Sequence, residues 1–242
     1  MRDKTKGKCK YCGKEYAKAY IMRHLKSCKE RKLRLEAETG REQCRYFQLL
    51  IYGKYDDDYW LAVEMQEDAT LRDLDLFLRD IWLECCGHLS AFEINGIRYD
   101  VAPDDAYYWD EPPRSMDCEL KEVLEEGMKI SYEYDYGSTT DLLIQVSGVR
   151  SGVKIEEDLT ILSRNNAPEW MCDHCHTQKA TWICGYCLWD EERMFCDECA
   201  EEHSCGTEAM LPVCNSPRMG VCGYCGSEEY PDQFVPDQIP EK

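Results

Sequence analysis

Between Met171 and Gly226 the chain reads MCDHCHTQKATWICGYCLWDEERMFCDECAEEHSCGTEAMLPVCNSPRMGVCGYCG, and this stretch holds ten of the 17 cysteines. Eight of the ten form Cys-x2-Cys pairs: Cys172/Cys175, Cys184/Cys187, Cys196/Cys199 and Cys222/Cys225. Cys205 and Cys214 stand apart, with His203 just before Cys205. Two thiolates three positions apart on a tight turn reach one ion at about 2.3 Å. Two such pairs, or one pair with a His and a Cys, complete a tetrahedral zinc shell. Eight residues separate the first pair from the second, and eight the second from the third. The even spacing predicts interleaved ligation. Cys172, Cys175, Cys196 and Cys199 would hold one ion. Cys184 and Cys187 would hold another with His203 and either Cys205 or Cys222. A disulfide framework and a catalytic zinc are the alternatives, and closed shells of these compositions leave no position for water. Cys214 and Cys225 are read either as parts of a further site or as spare, oxidisable thiols.

A second ligand set opens the chain. Cys9-x2-Cys12-x11-His24-x3-Cys28 is complete, and His24 and Cys28 share one face if the intervening residues are helical. Tyr16, Ile21 and Leu25 supply the apolar groups of a very small core, too small to fold on burial alone, so the metal is expected to supply the folding energy. The set resembles a Cys-Cys-His-Cys variant of the ββα zinc finger over roughly residues 7–32. About three zinc ions are therefore expected in the whole chain.

Charge separates the parts. Residues 1–34 carry 13 Lys+Arg and 3 Asp+Glu, a balance of +10 in a chain of net charge −19. A basic head on an acidic body suits contact with polyphosphate. Aligning a finger helix on His24 puts base-reading positions near Ala17, Tyr20 and Arg23, of which only Arg23 is a usual base-edge reader. Phosphate contact is expected through Lys8, Lys10, Lys14, Lys18, Lys26 and Lys29, with weak sequence choice. The alternative is a protein-docking head whose lysines are merely solvated.

These ligand sets need a scaffold. Residues 44–52 and 59–65 read as strands around the polar turn 53–58, with Asp56, Asp57 and Asp58 as a solvated turn rather than a cation site. Thr70 with Asp73 forms a capping-box pattern. Leu71, Leu74, Phe77, Leu78, Ile81 and Trp82 then recur at helical spacing. Residues 91–99 read as a hairpin turning at Asn95-Gly96. Residues 102–118 form an acidic, aromatic loop that suits a partner-binding surface or a local cluster. A short helix at 120–124 and strands at 129–136 and 142–146 follow. The fold class expected is α+β: a central β-grasp-like sheet with one main helix. It is flanked by the small N-terminal zinc finger and the C-terminal cysteine-rich, cross-braced zinc module. The boundaries expected are 1–34 for the finger, 44–166 for the sheet domain, 167–226 for the module and 227–242 for a disordered acidic tail. Residues 33–43 read as the fraying end of the finger helix and a linker. Cys85 and Cys86 read as small hydrophobes packing at a helix end, with His88 bonded locally. Trp170, Trp182, Trp189 and Phe195 read as small cores beside the ligand cysteines.

The segments TLRDLDLFLRDIWLECCGHLSAFEINGIRY (70–99) and KISYEYDYGSTTDLLIQV (129–146) resemble the Ri-plasmid open-reading-frame-three-like family (plasmid pRiA4b Orf3-like), insertion-element passenger proteins of the TnpR type. His88, Leu89 and Phe92 match its His-Leu-x-x-Phe signature. Tyr134, Asp135, Tyr136 and Gly137 match its Tyr-Asp-Phe-Gly signature. The Trp and His that usually follow are replaced by Ser138-Thr139-Thr140-Asp141-Leu142. The resemblance covers roughly residues 44–148, and the family name points to mobile elements without implying an activity.

No glycine-rich phosphate loop, nucleophile elbow or His-Glu-x-x-His helix is present. No run of 18 apolar residues and no apolar leader segment occurs, so a cytoplasmic, reducing location is expected, with no membrane partner. The sequence predicts a zinc-binding interaction protein. It would contact nucleic acid through the basic finger and protein through the acidic remainder. A purely protein-binding adaptor and an enzyme acting through the sheet domain are the alternatives.

Overall fold

The computed structural model describes residues 4–40, 42–103 and 112–237. Strands β1 (Lys6–Lys8) and β2 (Glu15–Ala17) pair antiparallel and lead into helix α1 (Lys18–Ser27). Cys28, in extended conformation, separates α1 from α2 (Lys29–Ala37). The segment 33–43, expected to fray, is helical as far as Ala37.

The central elements are β3 (Gln43–Gly53), β4 (Trp60–Gln66), α3 (Leu71–Leu78) with a π-helical turn (Arg79–Leu83), β5 (Ser90–Ile94), β6 (Ile97–Asp100), β7 (Arg114–Ser115), α4 (Leu120–Val123), β8 (Lys129–Tyr134), β9 (Thr140–Val153) and β10 (Leu159–Arg164). They make one eight-stranded sheet in the order β10-β4-β3-β9-β8-β5-β6-β7. Every pairing is antiparallel except β6 with β7. The architecture is mixed α+β, a large sheet with few helices. Thr70 and Asp73 exchange backbone N–H bonds in the capping box, at 2.8 and 3.1 Å. Asn95 (φ 53°) and Gly96 (φ 79°) turn the β5–β6 hairpin. The six apolar helical positions are all buried. Asp75 fixes α3 to the sheet by accepting from Ser90 Oγ at 2.6 Å and Tyr132 Oη at 2.7 Å.

The remaining elements are β11 (Trp182–Cys184), β12 (Met194–Phe195), α5 (Asp197–Glu201), a 3-10 turn (Thr207–Ala209) and β13 (Met210–Pro212), with the strands ordered β12-β11-β13. The chain divides into two compact units. The first joins the described residues up to Phe77 with Leu89–Asn166 and those from Gln233. The second joins Leu78–His88 with Ala167–Asp232. No described helix is long and apolar enough to cross a membrane. Part of the acidic aromatic loop, 104–111, lies outside the described residues.

In the first unit the ββα head shares its core with the sheet. Ile21, Leu25 and Tyr11 pack with Leu50, Trp60, Ala62 and Leu162. Gly7 passes so close that a Cβ there would lie 2.2 Å from the Arg164 carbonyl oxygen. Lys10 N–H donates to the Leu162 carbonyl at 2.8 Å, and Asn166 N–H to that of Lys6 at 2.6 Å. Below the head, Glu64 is 3% exposed and takes Arg31 at 2.6 Å and a two-pronged Arg150 at 2.7 and 2.9 Å. The Asp56–Asp58 turn is not merely solvated. Asp57 pairs with Lys4 at 2.5 Å and Lys18 at 2.7 Å, and Asp58 accepts from Thr5.

Candidate metal centres

Among the described residues, four groups of donor atoms converge, each within 4.8 Å of one another: Cys9, Cys12, His24, Cys28; Cys172, Cys175, Cys196, Cys199; Cys184, Cys187, His203, Cys205; and Cys85, Cys86, His88, Cys222. The sulfur–sulfur edge of a tetrahedral zinc–thiolate shell is about 3.8 Å, given bonds of about 2.3 Å. These donor sets fit a soft divalent cation such as zinc.

In the head, the turn between Cys9 and Cys12 is closed by Gly13 N–H donating to the Cys9 carbonyl at 2.9 Å, with Gly13 at φ 68°. Helix α1 presents His24, whose Nε2 lies 3.4 Å from Cys12 Sγ, and Tyr16 stacks on the imidazole at 3.9 Å. Cys9, Cys12 and Cys28 are buried. Burial pushes the Cys9 thiol up to about 12 and the Cys28 thiol upward, and lowers His24. A neutral imidazole is ready to ligate, whereas the thiols must give up protons to the incoming cation.

The cysteine-rich stretch groups in the interleaved way its spacing predicts. First and third pairs converge, with Cys175 and Cys196 Sγ 3.9 Å apart. The second pair meets His203 and Cys205, and Cys187 Sγ lies 3.5 Å from His203 Nε2 and 3.6 Å from Cys205 Sγ. Hydrogen bonds from Thr177, side chain first and then backbone, lower the Cys175 thiol to about 6. Burial first, then Cys205 and Cys184, pushes Cys187 up to about 12. Of the two small cores beside the ligands, one contains Phe195 with Trp182 packed against it, and Trp170 packs against the other. Trp189 departs from expectation: it is 91% exposed, on the turn that Asp190 N–H closes onto the Cys187 carbonyl at 2.9 Å.

Of the two partners left open for the second pair, the structure selects Cys205. Cys222 instead meets Cys85, Cys86 and His88. Cys85 and Cys86 therefore do more than pack at a helix end: Cys86 is exposed, and its Sγ lies 2.9 Å from His88 Nε2. The Cys-Cys-x-His run was the available signal, masked by its place at the end of an amphipathic helix. Cys214 is buried outside all four groups, and Cys225 is exposed. Arg218 points Nη2 at Cys85 Sγ, 3.6 Å away.

Of the basic residues expected to meet phosphate, Lys10 pairs with Asp237 at 3.0 Å, Lys18 with Asp57, and Lys26 donates to the Ser147 carbonyl at 3.1 Å. Lys8, Lys14, Arg23 and Lys29 make no ion pair among the described residues. Arg23 lies over the Tyr20 ring at 5.0 Å, and both side chains are exposed. With Lys6, Tyr16, Ala17 and His24 they border an open groove of about 450 Å³.

The signature residues of the sheet serve packing and turning. Phe92 and Tyr134 are buried, and Leu89 is half-exposed. Asp135 sits at φ 65° and accepts from Gly137 N–H at 3.0 Å, which shapes the turn after β8. Tyr136 Oη donates to Asp100, which also takes Arg98 at 3.0 Å.

A family model described as plasmid pRiA4b ORF-3-like protein matches residues 52–174. No curated protein matches the chain. A solved structure, a protein of unknown function from Methanosarcina mazei Go1, aligns at 17% identity with a TM-score of 0.43, over 50% of this chain and 69% of that one. A likeness of that degree carries no functional argument.

Proposed function

The chain belongs to the plasmid pRiA4b ORF-3-like protein family, and on that footing we propose that it is a zinc-binding interaction protein associated with mobile elements. It contacts nucleic acid through its ββα head and protein through its acidic remainder. Zinc fills the three ligand sets in 9–28 and 172–205, where cysteine and histidine donors converge. The observation that carries nucleic-acid contact is the outward face of α1. Tyr20 and Arg23 are exposed at the groove, Arg23 over the Tyr20 ring, on a chain whose net charge is −19. A ring and a guanidinium side by side stack on bases, and the lysines take phosphates. Lys10, Lys18 and Lys26 are engaged by the protein itself, so the phosphate contacts reduce to Lys8, Lys14, Arg23 and Lys29.

Ionic strength tests this count. Each neutralised phosphate of duplex DNA contributes a slope of about −0.9 in log K against log salt. Of the seven residues expected to meet phosphate, the four that make no ion pair among the described residues predict a slope of about −3 to −4. All seven basic residues would give about −6. Absence of binding at low salt would leave the adaptor reading, which the exposed Tyr186 (76%) and Trp189 (91%) of the cysteine module favour as docking residues.

A further inference from the structure

We propose that Cys85, Cys86, His88 and Cys222 form a fourth zinc site, open to solvent, whose ion exchanges faster than those of the other three sets. All four donors belong to the second unit. Cys86 Sγ lies 3.6 Å from both Cys85 Sγ and Cys222 Sγ, and His88 Nε2 lies 3.3 Å from Cys222 Sγ. These separations approach the edges of a tetrahedral shell.

Both segments are braced to hold that geometry. Arg79 donates to the His88 carbonyl at 2.6 Å and pairs with Glu84 at 2.9 Å. Glu84 in turn accepts from Gly87 N–H at 2.5 Å. Ser216 Oγ donates to the Trp82 carbonyl at 2.6 Å, which clamps the two segments together. Cys222 is held at φ 51°, a left-handed conformation that costs a non-glycine residue energy and persists only where the surroundings enforce it. From there its Sγ meets Cys86 and His88 of the Cys85–His88 loop.

Charge supports the same assignment. Three thiolates and a divalent cation leave one negative charge, and the fully buried Arg218 directs Nη2 to Cys85 Sγ. The other sets each contain at least one buried ligand. Here Cys86 and Cys222 are exposed, and Cys85 and His88 are half-buried. An acidic cleft of about 590 Å³ adjoins Cys85, bordered by Asp80, Glu84, Glu228 and Glu229, with Cys225 on its wall. It draws cations to the site and places another thiol near the exchanging ion.

The test is metal content and release from reduced, zinc-loaded, full-length protein. Wild type is expected to carry four zinc ions, one of them passing to a chromogenic chelator in a separate fast phase. Cys222→Ser should carry three and lack that phase. Should Cys222→Ser fail to fold, alkylation of wild type gives the answer. Zinc should protect Cys86 and Cys222 from iodoacetamide and leave Cys225 reactive. Three ions in wild type, an unchanged count in folded Cys222→Ser, or equal alkylation of Cys86 and Cys222 with and without zinc would overturn the assignment. None of these outcomes depends on whether the head binds nucleic acid.

Discussion

Chelating zinc from the full-length protein is expected to unfold the cysteine module while the eight-stranded sheet stays folded. The module's two cores contain Cys184, Phe195, Ala200, Ala209 and Met210 in one, and Ala180, Ile183 and Met194 in the other. Each large apolar side chain contributes about 1.5–3 kcal/mol, against about 1–2 kcal/mol of backbone entropy for every ordered residue. Burial therefore cannot fold it, whereas a structural zinc supplies about 10–16 kcal/mol. The head should respond less, because Ile21 and Leu25 also pack on Trp60 and Leu162. Hydrogen exchange should show full loss of protection at Ile183, Met194 and Phe195, partial loss in α1, and none in β3 and β9. Protection retained in the module after chelation would contradict zinc as its source of stability.

Glu64→Gln is expected to destabilise the first unit by about 3–5 kcal/mol, because it leaves Arg31 buried without its counter-charge. For a chain of this size the melting transition should fall by on the order of 10 °C. The pH dependence follows from the same contacts. Burial alone raises the Glu64 carboxyl, but Arg150 and then Arg31 outweigh it and hold the group below its ordinary 4.5. A depressed carboxylate contributes stability that is present above its unfolded value and lost as pH falls through the folded one. Wild type and Glu64→Gln should thus differ fully at pH 6 and converge as pH falls from 4.5 through the lower, folded value. A constant gap across that range would mean that the triad does not titrate as a unit. Denaturant midpoints across the range measure it.

Local chemistry made much of this readable from sequence. The Thr70–Asp73 cap, the Asn95–Gly96 turn and the apolar spacing of α3 each depend on residues within a few positions. The interleaved cysteine pairs were readable for the same reason: knuckle turns are local and their spacing is regular. The fourth donor group was not readable, because Cys86 and Cys222 stand far apart in the chain. Spacing pairs Cys222 with Cys225, whereas its thiol lies with Cys85, Cys86 and His88. Strand β10 was not legible because LTILSR is short and half polar. Strand β9 runs well past Val146 because its pairing with β3 continues beyond a register shift at Gln48/Leu49, through a Ser- and Gly-containing stretch of weak strand propensity. The charge of the head was plain, yet counting lysines could not reveal which of them Asp57 and Asp237 take up.

The central claim is that nucleic acid is met by the open face of α1. The most direct measurement is the affinity of zinc-loaded, full-length protein for short duplex and single-stranded probes at fixed low salt. Wild type would be compared with Tyr20→Ala, Arg23→Glu and Lys26→Gln. Losing the Tyr20 ring should cost about 1–3 kcal/mol on the single strand, a loss of roughly 5- to 150-fold. Arg23→Glu should weaken both probes at least tenfold, since it removes one charge contact and adds a repulsion. Lys26→Gln, whose amine already serves the Ser147 carbonyl, should stay within about threefold of wild type, under one charge contact. Equal affinity of all four proteins, or no binding by wild type, would contradict the account.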